Sequence, residues 1–480
     1  MTATERPAPG ALDPTNRIVP WLVAVAFFME ALDTTILNTA VPTLATALGV
    51  APLSLRSVLS SYTLSLAVFI PASGWVADRF GTRRVFATAI GVFSVGSLLC
   101  GLSTDVRELV FFRIVQGLGG ALMVPVGRLT MVRTFPKSEL VRAMSFVAIP
   151  ALVGPMLGPV VGGAIVRFWS WRGVFFVNLP VGAVGLLLVL RRLPDYREER
   201  PAGFDFVGLV LFGAGVALLS YVLEIFGEHS LGGYEMLGLL ALATTLLLGY
   251  WRHAAGLSHP LLRLDLLRVR TLRVAVLGGF VARIAIGGVP FLLPTLYQIG
   301  LGVSPLVSGL LIFPQSVAAM SLRLAMLKVL RRFGYRRVLL ANTILVGGVI
   351  ALFARIEPGI SFWEIVAQAF VFGCFSSFQY TSMNSLAYAD VGPGDASAAS
   401  TLASTAQQMS MSFGVAAASL VAAVFVPRGA GSSAPALVRG IHHAFLALGA
   451  FTVVSALIFR QLSPTDGTSM TRHDVPEAAE

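Results

Sequence analysis

Charged residues are scarce in this chain of 480 residues. Asp, Glu, Lys and Arg make up 12% of it, about half the share typical of soluble domains, whereas 56% of the residues are hydrophobic. Lysine occurs only as Lys137 and Lys328, and neither stands in a GxxxxGK[ST] phosphate-binding loop. Cys100 and Cys374 lie in apolar stretches and form no CxxC pair or Cys/His cluster. These shortages exclude a soluble fold and a P-loop ATPase, and they predict no structural disulfide and no metal site.

Apolar segments of about 20 residues recur along the whole chain without the alternation of barrel strands. The pattern predicts an all-α integral membrane protein with fourteen transmembrane helices. The polar, proline-rich first 17 residues show no signal-peptide pattern. The spans are expected at 18–41, 55–77, 84–103, 108–132, 143–166, 173–190, 204–226, 234–251, 272–299, 305–327, 338–354, 361–389, 396–426 and 440–459.

The formal net charge of +11 predicts a membrane topology and not a nucleic-acid-binding surface. With the N-terminus inside, cytoplasmic segments hold 24 of the 35 Lys and Arg residues and outer loops hold 7. Because cytoplasmic loops of membrane proteins are enriched in Lys and Arg, both termini are expected in the cytoplasm. We therefore expect a multi-pass protein of the cell inner membrane, with the lipid bilayer as its surroundings, no nucleic-acid partner and a monomeric state.

A short motif indicates that the chain contains an internal repeat. RFGTRR, beginning at Arg79, returns 253 residues later as RFGYRR, beginning at Arg332. At the same offset, Glu30 in the first span corresponds to Arg283 in the ninth. A parallel repeat would place these two spans on opposite walls of a central cavity. We expect cytoplasmic tails at 1–17 and 462–480, six-helix bundles at 18–192 and 259–461, and a linker with two extra helices at 193–258.

The first span carries two acids, Glu30 and Asp33, within an apolar run. At ~1.5 Å per residue they would lie about 18 and 22 Å beyond Ile18, inside a hydrocarbon core of roughly 30 Å. A carboxylate there costs on the order of 2.5–3.5 kcal/mol unless it faces a partner or a wet cavity. Spaced i, i+3, the two acids share a helix face. Either they bind a proton, or they are permanently paired structural carboxylates.

Two arginines are predicted to lie at comparable depth. Arg113 in span 4 lies in the same half of the membrane as Asp33, with Gln116 one turn later. Arg113 would favour the ionised form of a nearby acid, since a guanidinium keeps its charge, or it would snorkel to a membrane surface. Arg283 has no local acid. It is expected to pair with Glu30 or Asp33 across the cavity, to contact an anionic substrate group, or to be solvated in the cavity.

Spans 12 and 13 are unusually polar, and Gln379 and Asn384 in span 12 are candidates for the cavity wall. Hydrogen bonding between helices is the alternative.

Two glycine-containing motifs are candidate gates. The loop motif after span 2 would act as a latch, or it would only contribute positive charge to the cytoplasmic side. Its second copy has Leu327 in the place of Gly74 and Arg331 in the place of Asp78. The run in span 5 places small residues every four positions and lets a helix approach closely. The gate residues are Gly74, Asp78, Arg79, Gly81, Arg83 and Arg84 in the loop motif, and Gly154, Pro155, Gly158, Pro159, Gly162 and Gly163 in span 5.

Four segments together resemble the fourteen-helix drug:proton antiporter family of the major facilitator superfamily, over roughly residues 18–460. They are LDTTILNTAVP in span 1, GWVADRFGTRR after span 2, FFRIVQGLGGALMVPVGR in span 4, and GPMLGPVVGG in span 5, with SWRGVFFVNLPVG after it. The resemblance implies two six-helix bundles related by a pseudo-twofold axis, plus two extra helices. It also implies proton coupling by Asp33 and Arg113, with Glu30 as a further proton or substrate group. Gln116 and Asn38 are further cavity candidates, and span 5 would seal the halves against proton leak.

The expected function is proton-coupled antiport that exports small amphipathic molecules or drugs by alternating access. The proton is the coupling ion and no cofactor is expected. An enzyme is not expected, since no HExxH or Ser/His/Asp arrangement is recognisable. The acids of span 1 favour a cationic substrate, whereas Arg283 and the polar spans 12 and 13 equally allow an organic anion or a metal chelate. A non-transporting sensor would not need mid-membrane charges in both halves.

Overall fold

The computed structural model describes residues 14–135, 137–198, 203–228, 233–321, 323–425 and 434–468, and these contain helices and no strand. The tails expected at 1–17 and 462–480 lie mostly outside these residues. The α-helices are α1 Pro14–Ile36, α2 Val41–Leu48, α3 Arg56–Phe69, α4 Ser73–Phe80, α5 Thr82–Leu102, α6 Val106–Thr134, α7 Lys137–Phe168, α8 Gly173–Phe176, α9 Asn178–Arg192, α10 Phe206–Glu228, α11 Gly233–Ala255, α12 Arg270–Thr295, α13 Pro305–Ser321, α14 Arg323–Leu352, α15 Phe362–Leu386, α16 Ala396–Val424 and α17 Ala434–Phe459.

Fourteen membrane passes can be traced through the described residues, as predicted. Eleven of them are continuous segments long and apolar enough to cross a bilayer. The first joins α1 to α2 through a 3₁₀ turn at Asn38–Ala40, and the second joins α3 to α4 through Ile70–Ala72. The other three passes are α7, α13 and α15; the apolar parts of α7 and α13 are short, and α15 carries several polar side chains.

The buried apolar side chains show where the two halves of the bundle meet. We call the end where the described chain begins and finishes the terminal end, and the other end the opposite end. At the opposite end a single core combines both halves, whereas at the terminal end each half has its own core. Apolar packing therefore joins the halves at the opposite end, and we call the region between their separate cores at the terminal end the gap. Representative residues are Leu44, Phe175, Phe291 and Phe445 in the shared core, Val23 and Phe86 in the first-half core, and Leu272 and Phe459 in the second-half core.

Polar and backbone contacts join the halves along α3–α16 and α7–α13, and near the first 3₁₀ turn. Within the described residues, no ion pair of two side chains crosses between the halves. The hydrogen bonds are Arg56 Nη1 to Ser419 Oγ at 3.2 Å, Ser412 Oγ to Ser60 O at 3.1 Å and Gln298 Nε2 to Thr39 O at 2.9 Å. The Ser412 and Gln298 bonds join neutral groups, so they can break without stranding a buried charge.

The glycine run of α7 has two packing faces instead of the single face expected from its four-residue spacing. Gly154 and Gly158 lie against α1, and Gly162 lies against the end of α1 and the following turn. Gly163 lies against the backbone of Pro305 at the start of α13, and Gly309 of α13 lies against the backbone of Pro159. The predicted close approach is present, but one face packs within the first half and the other joins the two halves.

The internal repeat is visible as a repeated turn. Gly81 follows α4 with φ 92°, and Gly334, 253 residues later, interrupts α14 with φ 74°. In each half the segment after the last helix returns to this turn: Asp195 reaches Gly81, and Pro464 reaches Gly334. A positive φ suits glycine, which explains why both copies of the motif keep it.

The two extra helices, α10 and α11, pack on each other, and α10 also contacts α3 and α16. Buried Asp205 fixes the start of α10: it accepts hydrogen bonds from the backbone N–H groups of Gly208 and Leu261 and lies 2.7 Å from His253 Nε2. Burial alone would raise the pKa of the Asp205 carboxyl, but these bonds hold it below its ordinary value. Large side chains of α11, such as Leu248 and Trp251, are exposed, so this pair lies at the lipid-facing periphery.

Replacing Gly81 with Ala should destabilise the purified protein by about 1–3 kcal/mol, because Ala would have to adopt a backbone conformation that glycine alone tolerates well. Its Cβ would also lie 2.5 Å from Asp195 Oδ1. The apparent melting temperature in detergent measures the effect. Gly74→Ala is the matched control, since a Cβ there meets nothing within 4 Å and Ala favours a helix. Equal losses in the two variants would contradict this account of the turn.

Candidate functional site

Asp33 is buried inside the first half and does not face the gap. It lies in the last turn of α1 and is 1% exposed. Its Oδ2 accepts a hydrogen bond from Arg113 Nη1 at 2.6 Å, and its Oδ1 accepts from Gln116 Nε2 and Asn178 Nδ2, each at 2.9 Å. Both carboxylate oxygens are therefore bonded by side chains from α6 and α9.

Arg113 is bonded as completely as its partner. Its Nη1 also donates to Gln116 Oε1 at 2.8 Å, its Nε donates to Val58 O at 3.3 Å, and its guanidinium carbon lies 4.3 Å from the centre of the Tyr62 ring. The side chain is 1% exposed, so the snorkelling alternative is wrong. A buried ion pair is tolerated when further hydrogen bonds satisfy both charges, as they do here.

Small residues bring the helices close enough to form this cluster. A Cβ at Gly96 of α5 would lie 2.7 Å from the Gln116 backbone, and a Cβ at Gly117 of α6 would lie 2.6 Å from Ser65 Cβ. Ser65 Oγ in turn donates to the carbonyl of Ile114 at 2.9 Å. Gln116 thus supplies a hydrogen-bonding side chain, and Gly117 next to it allows a close contact with α3.

Sequence analysis missed three members of the cluster. Asn178 also donates to Ser97 Oγ at 3.1 Å, and Ser97 Oγ donates to the carbonyl of Phe175 at 2.8 Å. Tyr62 contributes its ring. Asn178 could have been found from the sequence, because it is a lone amide at the start of an apolar span, within SWRGVFFVNLPVG. Buried amides of this kind need a partner, and the nearby carboxylate provides one.

Glu30 lies one turn before Asp33 but in a different environment. It is partly exposed, and within the part of the chain that the structure describes its carboxylate has no salt bridge and no hydrogen bond. Because α6, α7 and α9 of its own half surround the rest of α1, this accessible side faces the gap. Its electrostatic neighbours include Arg128, which is exposed. The shared face expected for the two acids is therefore divided, with Asp33 inside the bundle and Glu30 at the gap.

Arg283 occupies the corresponding position in α12 and makes different contacts from those expected. It is 4% exposed, its Nη2 donates to Asn384 Oδ1 at 2.7 Å, and its guanidinium carbon lies 5.5 Å from the Tyr380 ring centre. Within the described residues its Nε has no hydrogen-bond partner and it forms no ion pair. The expected pair with Glu30 or Asp33 is thus not formed in this conformation. Asp33 instead bonds Arg113, and Glu30 forms no ion pair within the described residues.

Three other cavity candidates are buried between helices. Gln379 is fully buried, accepts from Asn342 Nδ2 at 2.8 Å and donates to Thr343 Oγ1 at 2.9 Å. Gln116 is fully buried in the Asp33 cluster, and Asn38 is 9% exposed in its 3₁₀ turn. Gln379 and Gln116 thus bond neighbouring helices, as amides inside an apolar bundle commonly do. Asn384, in contrast, is exposed and in contact with Arg283.

The loop motif forms charge bonds through Asp78, but the arginine that Asp78 bonds comes from outside the motif. Asp78 at the end of α4 accepts from Arg133 Nη2 at 2.8 Å, and Arg133 also bonds Glu198 Oε1 at 3.1 Å. The backbone N–H of Arg83 donates to Asp195 Oδ1 at 3.0 Å. We call the contacts of Asp78, Arg133, Asp195 and Glu198 the first-half latch.

The first-half latch does not join the two halves in this conformation. Its members belong to α4, α5, the end of α6 and the segment after α9, and all of these lie in the first half. Within the described residues, the side chains of Arg79, Arg83 and Arg84 make no ion pair, in contrast to the expectation that these arginines form the charge bonds. The same residues contain no group of three His, Cys, Asp or Glu side chains that could hold a metal ion.

The sequence profile of the Major Facilitator Superfamily matches residues 23–415. The chain belongs to this superfamily. Relatives that carry the provisional name multidrug resistance protein MdtD match over nearly their whole length. The protein of Serratia proteamaculans is 37% identical over 94% of both chains. That of Klebsiella pneumoniae strain 342 is 39% identical over 94% of this chain and 95% of its own. The predicted resemblance is confirmed, and the chain is a transporter of the major facilitator superfamily.

Solved structures of distant members show the same fold. A bacterial homolog of the human lysosomal transporter Spinster, inward-facing and unoccupied, has a TM-score of 0.65 at 16% identity and covers 96% of this chain and 99% of its own. A POT family transporter in complex with 5-aminolevulinic acid has a TM-score of 0.67 at 14% identity, covering 94% and 96%. These comparisons confirm the major facilitator fold.

Asp33→Asn should destabilise the protein by about 3–5 kcal/mol, because it leaves the buried Arg113 guanidinium without a counter-charge. Unfolding of the purified protein in detergent measures the loss. The double variant Asp33→Asn/Arg113→Gln should recover much of it, since both charges are then gone. Additive losses from Asp33→Asn and Arg113→Gln would mean that the two side chains are not energetically coupled.

Proposed function

We propose that this protein is a proton-coupled antiporter that exports small amphipathic molecules, including drugs, from the cytoplasm by alternating access. The names of the MdtD relatives support multidrug export. The bias of Lys and Arg supports an inner-membrane protein with both termini, and hence the gap, on the cytoplasmic side. The observation that carries proton coupling is the buried contact between Asp33, which can be protonated, and Arg113, which cannot lose its charge.

The coupling step follows from this difference in chemistry. While Asp33 is ionised, it neutralises Arg113 and ties α1 to α6 and α9. A proton on Asp33 cancels that attraction and leaves Arg113 as an uncompensated charge in a low-dielectric site. The protonated protein therefore favours an arrangement in which Arg113 is hydrated or otherwise bonded. The ion pair with Arg113 forms again once the proton has left Asp33.

Alternating access would use the different strength of the contacts within and between the halves. The first half is tied together by the Asp33 cluster and the first-half latch, so it can move as a unit. The halves are joined at the opposite end by apolar packing, by close approach at Gly163 and Gly309, and by a few neutral or single-charge hydrogen bonds. If these contacts at the opposite end broke while the terminal end closed, the cavity would become exposed to the other side of the membrane.

The substrate would bind between Glu30 on one wall and Arg283 with Asn384 on the other. Accessible Glu30, without an ion pair in the described residues, favours a lipophilic cation. One observation favours a second candidate, an organic anion or a metal chelate of one: among the described residues, Arg283 has only the neutral oxygen of Asn384 as its hydrogen-bond acceptor. The two candidates share the proton step and differ in which wall holds the charged group.

Transport by proteoliposomes with an acidic lumen tests the proposal. Radiolabelled tetraphenylphosphonium and radiolabelled salicylate serve as the cation and the carboxylate. We expect uptake of at least one of them to depend on the pH gradient, and Asp33→Asn to reduce this uptake to the level of protein-free liposomes. Exchange of labelled for unlabelled substrate without a gradient should persist, because it does not require net proton movement.

Glu30→Gln and Arg283→Gln are the matched controls, since each removes one charge that borders the gap. Glu30→Gln should weaken tetraphenylphosphonium uptake and leave its pH dependence intact, whereas Arg283→Gln should weaken salicylate uptake. Gradient-driven accumulation by Asp33→Asn would refute the coupling role. Unchanged uptake of both probes in both control variants would refute the assignment of the cavity walls.

A further inference from the structure

A groove runs along the outer face of α5, away from the gap between the halves. Its upper part, at the terminal end, encloses about 340 Å³ and is lined by Val76, Phe80, Arg84, Thr88, Leu122 and Arg197. Its lower part encloses about 480 Å³ between α5, α6 and α9, and Thr88 belongs to both parts. Volumes of this size are typical of sites for small molecules.

The lower part of the groove faces lipid. It is lined almost entirely by apolar side chains, and two of them, Val95 and Leu190, are 53% and 54% exposed. Exposed large apolar side chains on a transmembrane helix contact acyl chains. Gly91 contributes to the depth, because nothing lies within 4 Å of the position its Cβ would take.

The upper part of the groove carries two arginines that no acid among the described residues neutralises. Arg84 and Arg197 are both exposed and form no ion pair within the described residues. Two acids next to Arg197 that the structure describes are already engaged: Asp195 accepts the backbone N–H of Arg83, and Glu198 bonds Arg133. Two free guanidinium groups at a membrane surface are suited to a phosphate oxyanion.

The length of the groove matches one leaflet. From Arg84 to Val95 the rise of α5 is roughly 16 Å, at ~1.5 Å per residue, and half of a hydrocarbon core is about 15 Å. A molecule with an anionic group at the arginines would thus extend an apolar tail to about the middle of the membrane. This shape is that of a phospholipid and not of a soluble phosphate.

We propose that this groove binds one anionic phospholipid of the leaflet at the terminal end. The headgroup phosphate lies between Arg84 and Arg197, and one acyl chain follows Thr88, Gly91 and Val95 between α6 and α9. The bound lipid would connect α5 to the segment after α9, next to the first-half latch. Arg336 and Arg337 are the repeat counterparts of Arg83 and Arg84, but Asp466, bonded to Arg270, stands two residues after Pro464, where the first copy has Arg197 two residues after Asp195.

Native mass spectrometry of the full-length, delipidated protein tests the site, with phosphatidylglycerol, phosphatidylcholine and sn-glycerol 3-phosphate as probes. We expect one phosphatidylglycerol to bind more tightly than phosphatidylcholine. Arg84→Gln/Arg197→Gln should weaken that binding about thirtyfold, because each arginine near an anionic headgroup contributes roughly fivefold. The matched control, Arg336→Gln/Arg337→Gln, removes the same charge from the other half and should bind as wild type does.

The apolar part is tested separately by filling it. Gly91→Trp should block the acyl chain and weaken phosphatidylglycerol binding, whereas Gly348→Trp, at an equally open glycine of α14, should not. The site is refuted if both double-arginine variants lose binding equally, since surface charge alone would then explain it. It is also refuted if Gly91→Trp binds normally, or if glycerol phosphate binds as tightly as the lipid.

Discussion

A charge inside a bilayer needs a partner, and the contact between Asp33 and Arg113 meets this need at the centre of the first half. The carboxylate is bonded by three side chains and the guanidinium by two side chains and a backbone carbonyl. These bonds link α1, α3, α6 and α9 into one unit. Because one partner can be protonated and the other cannot lose its charge, the contact that stabilises the half is also the contact that a proton can break.

The two halves repeat one backbone plan with opposite charge. Glu30 in α1 and Arg283 in α12 correspond at an offset of 253 residues, and the glycines of the two repeated turns both have positive φ. Among the described ion pairs, the one in which both side chains are buried lies in the first half, between Asp33 and Arg113. In the second half, Arg283 is left with an amide partner. A substrate entering the gap would thus meet an acid on one wall and a base on the other.

The sequence was sufficient for the fold, because each membrane pass is a long apolar run and the repeat fixes how the halves correspond. It was also sufficient to bring together Asp33, Arg113 and Gln116, because they are polar or charged side chains at similar depth in a membrane, where burial without a partner is unfavourable. It could not show that Glu30 and Asp33 point to different sides of α1, since i, i+3 spacing allows one face or two neighbouring ones. Nor could it show that Arg133, 55 residues from Asp78, completes the latch, because such a pairing depends on tertiary packing.

The central claim is that protonation of Asp33 releases the first half and shifts the protein away from the conformation that is open at the terminal end. Pulsed electron–electron resonance can follow this shift, with spin labels at the exposed positions Arg191 and Arg332 in a cysteine-free protein. Lowering the pH should change the distribution of distances between the two labels in the wild type. Asp33→Asn should show the low-pH distribution at every pH, while Glu30→Gln still responds. A variant Asp33→Asn that shifts with pH as the wild type does would contradict the claim.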